Sequence, residues 1–270
     1  MIKVKKILFI IFILIVQPGF SFEGIKQNSN NFKILTLNIH CAQNDWKFRL
    51  THILDEVVRI SPDVIAFQEV CEEDSKRETQ FIFIQTYLIK KGYPFKTMSE
   101  QFTHFAWGNK YKEYVLLISK HKVESIDRDN LPASPLQRGY VAFLINKVWY
   151  INTHLEYKSE NAKFRQEQIN FLISRFQYFP HVIMGDFNSS PKSAEQTLFS
   201  RNGYKDYFPG NTHTGAEDGN ESARIDGYWF SKLLVPDINF LGGEILLKEK
   251  VNGQYLSDHF AVLAIFQFKK

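Results

Sequence analysis

Short apolar runs in this chain repeatedly abut a residue that carries chemistry. Ile34-Leu35-Thr36-Leu37 leads into Asn38, Val64-Ile65-Ala66-Phe67 into Gln68-Glu69, Trp149-Tyr150-Ile151 into Asn152-Thr153-His154, and Val182-Ile183-Met184 into Gly185-Asp186. Arg224-Ile225-Asp226 opens another run, and Ser257-Asp258-His259 stands directly before Phe260-Ala261-Val262-Leu263-Ala264-Ile265. Runs of this length, rich in β-branched, aliphatic and aromatic residues, read as strands. An ionised group at the end of a buried strand is costly unless it is exposed, paired or bound to a cation. A strand-rich fold whose strand ends share a polar site meets that cost.

Helical spacing separates several of these strands. Trp46, Leu50, Ile53, Leu54 and Val57 follow one helical face, with Asp45 as cap and Ser61-Pro62 as stop. A second helix is expected over 74–91, a third over 158–178 through Ile169, Leu172, Ile173 and Phe176, and a short one near 193–201. Tyr114 to Ser119, Tyr140 to Ile145 and Val148 to Thr153 are expected strands, the last two joined by a turn at Asn146-Lys147. The polar stretch Asn211 to Glu221 is long enough for a functional loop. The order is neither strict strand-helix alternation nor all-strand, and two packed sheets flanked by helices accommodate it.

The N-terminus is read as a leader. Lys3, Lys5 and Lys6 precede an apolar run from Ile7 to Val16, and Gly19-Phe20-Ser21 offers a small-residue cleavage site, so residues 1–21 are expected to be a signal peptide. The formal charge of +4 then falls to +1, because the leader takes away three lysines and no acid. A near-neutral mature chain makes no global electrostatic case for a nucleic-acid partner. Residues 22–270 lack an internal linker or repeat and read as one domain, secreted or periplasmic, monomeric and without a stable protein partner. Cys41 and Cys71 are the chain's 2 cysteines. They follow Asn38 and Glu69 closely, so a disulfide and two free thiols are both open.

The polar residues make the inventory of a metal-assisted phosphoester hydrolase. Glu69, with the amide of Asn38 and the carboxylate of Asp258, offers oxygen donors to a hard cation such as Mg2+. Asp186 and Asn188, alternating around Phe187, suit a water and a phosphoryl oxygen. Asp226 can fix the tautomer of His259, and His154, oriented by Glu113, can donate to a phosphoryl oxygen. His40, His52, His104, His121, His181 and His213 lack such partners in sequence and read as structural or surface, with His40 and His213 the first exceptions to consider.

With these residues assembled, the chain resembles the endonuclease/exonuclease/phosphatase family, the fold of pancreatic-type deoxyribonuclease, from about Lys33 to Phe268. The matching pieces, in family order, are Leu37-Asn38, Phe67-Gln68-Glu69-Val70, Thr153-His154-Leu155, Gly185-Asp186-Phe187-Asn188, Arg224-Ile225-Asp226 and Ser257-Asp258-His259. The resemblance implies a four-layer α/β sandwich of two mostly antiparallel sheets flanked by helices, a Mg2+ or Mn2+ cofactor, and in-line attack of water on a phosphoester. It gives Glu69 to the metal with Asn38 and Asp258 beside it, Asp186 and Asn188 to water and substrate, Asp226 to His259, and His154 to the transition state. Tyr111-Lys112-Glu113 resembles the segment that partners the first histidine in deoxyribonucleases, and Arg138 resembles a substrate-phosphate arginine.

Two positions depart from the pattern. Cys71 stands where deoxyribonuclease-like members place a minor-groove arginine. Gly227 replaces an aromatic that Tyr228 substitutes for if the chain shifts locally. The leading expectation is a secreted nuclease acting on a phosphoester, most readily nucleic acid. The alternative is a secreted phospholipid or sphingomyelin phosphodiesterase touching membrane lipid through Leu233-Leu234-Val235 and Ile238-Asn239-Phe240-Leu241, although core packing explains those segments more cheaply. An inactive effector module ranks below both, because each motif position keeps a competent side chain.

Overall fold

The computed structural model describes residues 31–73, 79–106, 108–132, 134–207 and 223–269. The leader at 1–21, the loop from Asn211 to Glu221 and His213 lie outside the described residues. The elements are β1 (Phe32–Asn38), α1 (Trp46–Ile60), β2 (Val64–Glu73), α2 (Gln80–Lys90), β3 (Thr97–Ala106), β4 (Tyr111–Ser119), β5 (Ser125–Asn130) and β6 (Gly139–Ile145). They continue as β7 (Val148–His154), α3 (Ala162–Phe176), β8 (His181–Asp186), α4 (Thr197–Arg201), β9 (Asp226–Phe230), β10 (Ile238–Leu246) and β11 (Ala261–Phe268).

The strands form a 6-stranded sheet in the order β10-β11-β1-β2-β4-β3 and a 5-stranded sheet in the order β5-β6-β7-β8-β9. Every pairing is antiparallel except β1 with β2 and β7 with β8, and each of those parallel pairs is linked through a helix, α1 or α3. Because a parallel pair needs a crossover, the long helices follow from the sheet order.

Period-two alternation sorts the apolar side chains into three cores. Ile34, Val64 and Ala66 of one sheet meet Val141, Phe143, Tyr150, Val182 and Met184 of the other, while Leu35, Leu37, Ile65 and Phe67 face outward onto Leu50, Ile53, Leu54 and Val57 of α1 and Ile84 and Leu88 of α2. Tyr140, Ala142, Ile151 and Ile183 face outward on the other side, onto Ile169, Leu172 and Phe176 of α3. The result is the expected four-layer α/β sandwich, helices–sheet–sheet–helices.

Local signals behave as their chemistry dictates. Asp45 accepts from Phe48 N at 3.1 Å to cap α1, and Ser61 ends the helix in the left-handed region. Asn146 and Lys147 both take positive φ, the backbone of a two-residue hairpin turn. The differences lie elsewhere. β2 runs on to Glu73 and α2 begins only at Gln80, capped by Thr79, so the helix expected from 74 is shorter. Helix α4 covers only Thr197–Arg201. Polar edge strands β3 and β5 carry no apolar alternation strong enough to announce them. Leu234 and Ile238 are buried in the inter-sheet core, so the segments considered for lipid contact pack inward, leaving Leu233 and Leu241 as their exposed apolar side chains. Among the described residues, no helix is long and apolar enough to cross a membrane.

Candidate active site

Register brings the chemistry-bearing strand ends together. In the parallel pairs Asn38 lies beside Gln68 and His154 beside Asp186, and β9 sets Asp226 against Asp186. The carboxyl ends of parallel strands are where open α/β sheets bind ligands. Two backbone devices aim the side chains. β2 bulges between Phe67 and Val70, with Glu69 at φ 55, which turns Glu69 out of the pleat. Gly185 sits at φ 143, and a Cβ there would lie 1.9 Å from the Thr153 carbonyl oxygen, so only glycine lets β8 press against β7 just before Asp186.

A buried polar link locks the sheets at this end. Asn152 accepts from Gln68 Nε2 at 2.6 Å and donates to the carbonyls of Phe67 and Leu116 at 2.9 and 2.8 Å. Those carbonyls flank the bulge, where the ladder is interrupted. Asn152 therefore stabilises the irregularity that presents Glu69.

Asp186 is the hub. Its Oδ2 receives Asn38 Nδ2 at 3.1 Å and faces His154 Nε2 at 3.4 Å and His259 Nε2 at 3.8 Å. His259 Nδ1 lies 2.9 Å from Asp226 Oδ2, the orienting contact expected for a tautomer-fixed base. Asn38 Nδ2 also donates to Glu69 Oε1 at 2.9 Å, and its Oδ1 accepts from His40 N at 3.0 Å. Asn188 takes φ 51, accepts nothing from Asp186 but donates its backbone N–H to Asp186 Oδ1 at 2.8 Å, and donates its amide to the Leu155 carbonyl at 3.0 Å. Asp258 faces His40 Nδ1 at 3.5 Å. All but Asn38 and Asp226 of the expected site residues line one open cavity of about 660 Å³, and those two hold its side chains from behind.

The second imidazole is held differently from the expectation. Glu113 Oε1 lies 3.4 Å from His154 Nδ1, but Arg138 stands between the roles, with its Nη1 3.3 Å from Glu113 and 3.2 Å from His154 Nδ1. A guanidinium only donates, so His154 Nδ1 accepts and the ring proton sits on Nε2, pointing at Asp186. Burial, reinforced by Arg138, pushes the His154 pKa down to about 3, which keeps that ring a neutral donor. His259 is the opposite case. Burial alone would lower its pKa, but the carboxylates of Asp226 and Asp186 hold it well above the ordinary value.

Glu69 tests whether a cation fits. Desolvation, then the neighbouring Glu113 and Asp258 carboxylates, push its pKa up to about 8. Carboxylates crowded this way are short of positive charge, which a divalent cation supplies. Glu69, Asp258 and the second lone pair of Asn38 Oδ1 are oxygen donors of the kind Mg2+ takes. Asp186, Asp226 and His259 form another group of donor atoms, all within 4.8 Å of one another. There the raised imidazole already supplies a positive charge, so the deficit is greater at Glu69.

Several contributors escaped the sequence reading. Arg49, on α1 and fully buried, donates to the carbonyls of Ile39, His40, Cys41, Gln43 and Leu256, and so ties the loop after Asn38 to the segment before Ser257-Asp258-His259. Its only sequence signal is a charge on the apolar face of a helix. Cys41 and Cys71 form a disulfide with Cα atoms 5.1 Å apart, joining the chain just beyond Asn38 to the chain just beyond Glu69. His104, read as structural or surface, lines the cavity instead. Tyr228 does not substitute in the cleft for an aromatic after Asp226: its hydroxyl donates to the carbonyls of Ile34 and Val262 inside the inter-sheet core.

The profile of the endonuclease/exonuclease/phosphatase family matches residues 35–259. Among solved structures the fold is similar to a protein of that family from Leptotrichia buccalis, with TM-score 0.73 at 20% identity, covering 88% of this chain and 100% of that one. It is also similar to the human Nocturnin catalytic domain with bound sulfate, with TM-score 0.65 at 20% identity, covering 88% of this chain and 95% of that one. A mannosyl-6-phosphatase from Bacteroides thetaiotaomicron gives TM-score 0.68 at 16% identity, covering 88% of this chain and 100% of that one. Curated protein sequences give no significant match. At these identities the neighbours speak for the fold alone, while the profile spans every motif from Asn38 to His259, and the chain belongs to the endonuclease/exonuclease/phosphatase family of phosphoesterases.

Proposed function

We propose that the protein is an exported, Mg2+- or Mn2+-dependent phosphodiesterase that hydrolyses nucleic acid and acts as a monomer. The observation that carries the reading is the convergence of His154, His259 and Asn38 on one oxygen of Asp186, at 3.4, 3.8 and 3.1 Å. Asp186 orients a water for in-line attack and accepts its proton, while His259, held cationic by Asp226 and Asp186, stands beside it as a donor. His154, kept neutral with its proton on Nε2, donates to a phosphoryl oxygen as negative charge builds, and Asn188 holds a second oxygen. Glu69, Asp258 and Asn38 would hold a divalent ion, which would supply positive charge against the phosphate.

Arg138 and the half-exposed rings of Phe105 and Tyr157 along the cavity favour a nucleotide-bearing diester. Lipid is disfavoured by the burial of Leu234 and Ile238. Export is supported by the lysine-led apolar leader and by the Cys41–Cys71 disulfide. The test is a metal-dependent hydrolysis panel across duplex DNA, single-stranded DNA, RNA, sphingomyelin, phosphoinositides and mannose 6-phosphate. Cleavage of an oligonucleotide, abolished by chelation, is the expected result. Turnover confined to lipid or to the sugar phosphate would replace the nucleic-acid reading.

A further inference from the structure

The Glu113 side of the cavity holds an imidazole that the chemistry above leaves unused. β3 pairs Phe102 with Tyr114 and then His104 with Glu113, so Thr103 is an extra residue and the strand bulges there. Bulges on edge strands re-aim side chains. Here the bulge places His104, only 11% exposed at its side chain, on the cavity wall beside Arg138, His154 and Glu113.

The hydrogen bonds around the ring assign its proton. Thr103 Oγ1 spends its single proton on the Glu113 carbonyl at 2.9 Å, and His104 Nδ1 lies 3.3 Å from that Oγ1 and 3.6 Å from Glu113 Oε1. Both are acceptors toward Nδ1, so Nδ1 carries the hydrogen. Nε2 then presents a lone pair, and among the described residues no group takes it. His154 and His104 thus flank Glu113 in opposite tautomers, one offering a donor at Nε2 and the other an acceptor.

An acceptor is the wrong tool for a phosphate oxygen and the right one for an O–H or N–H group. The cavity wall next to it continues through Phe105 and Tyr157, 48% and 49% exposed, which are the surfaces an unpaired base stacks on. We propose that His104 is a substrate-positioning residue whose Nε2 accepts a hydrogen bond from a ribose hydroxyl or base amino group of an unpaired nucleoside beside the scissile phosphate. The inference rests on the nucleic-acid reading above and narrows it to single strands.

The experiment compares wild type, His104→Ala and His104→Gln on single-stranded RNA, the same sequence as single-stranded DNA, and bis(4-nitrophenyl) phosphate, a diester with no hydrogen-bond donor. His104→Ala should raise KM for an oligonucleotide about tenfold, the worth of one lost hydrogen bond, while kcat stays within about twofold. Neither parameter should move on the aryl diester. His104→Gln, whose Oε1 is an acceptor, should recover most of the KM. A defect on RNA alone assigns the ribose hydroxyl, and an equal defect on RNA and DNA assigns the base. An equal loss on oligonucleotide and aryl diester would mean a structural role through Glu113 and overturn the inference, as would no change on any substrate. If wild type turns over the aryl diester but neither oligonucleotide, the nucleic-acid reading falls and this inference with it.

Discussion

Arg138 lies only 2% exposed between Glu113 and His154, and its position changes what the first imidazole can do. The sequence reading joined Glu113 directly to His154. The structure interposes a pure donor, which fixes the His154 proton on Nε2 and helps depress its pKa to about 3. Removing that charge in Arg138→Gln should let the His154 pKa rise toward the ordinary value near 6.5, as read by NMR titration of the ring carbons. An unmoved titration would show that burial alone sets the ring. At the hub, Asp186→Asn and His259→Ala should each lower kcat/KM by at least about a hundredfold, with thermal midpoints within a few degrees of wild type. Glu69, Asp186, Asn188, Asp258 and His259 were legible one by one, because polar groups at the ends of apolar runs are conspicuous. The pairing of His104 with Glu113 was not, since neighbours across a bulged edge ladder leave no trace in linear spacing.

Between residues and domain, the elements explain why so few side chains suffice to build the site. Two strand–helix–strand crossovers deliver Asn38 with Glu69 and His154 with Asp186 to one end of the sandwich, and the Asn152–Gln68 contact locks the sheets there. Arg49 performs the same service for the loops. If the guanidinium goes, the carbonyls of Ile39 and Leu256 lose the donor it supplies, whereas Cys41 keeps Gln80 Nε2, and an unmet buried carbonyl costs about 1–3 kcal/mol. Arg49→Ala should therefore lose at least about 2 kcal/mol in denaturant unfolding, and Arg49→Lys, with fewer donors and no fork, should recover only part of it. Full stability in the alanine variant would refute the staple. Helix α1 was readable to its caps, because periodicity and capping are local. Strands β3 and β5 were not, because an edge strand is made by its partner rather than by its own pattern.

For the whole molecule, acid response follows from histidines buried neutral. His181 donates from Nδ1 to the Phe179 carbonyl and meets Tyr204 Oη at Nε2, each at 2.7 Å, and burial pushes its pKa down to about 4. Below about 6.5 the unfolded chain protonates this ring and the folded chain does not, so its stabilising contribution is complete above about 6.5 and lost as pH falls toward 4. Glu69 and Glu100, raised to about 8 and about 7, act in the opposite sense, so the comparison with His181→Gln isolates the one group. The stability difference between wild type and that variant should shrink by up to about 1.4 kcal/mol per pH unit between pH 6.5 and 4. A constant difference across that range would exclude His181 from the acid limb. The chain by itself determined the apolar central strands, their chemistry-bearing ends and the family order of the motifs, because alternation, capping and short motifs are written in neighbouring residues. Only the tertiary structure decided which ends meet, which tautomer each imidazole adopts, that Cys41 and Cys71 are joined, and that His104 belongs to the cleft. Those outcomes depend on register, bulges and burial between segments far apart in sequence, where the free energy of a polar group is set by what faces it rather than by what adjoins it.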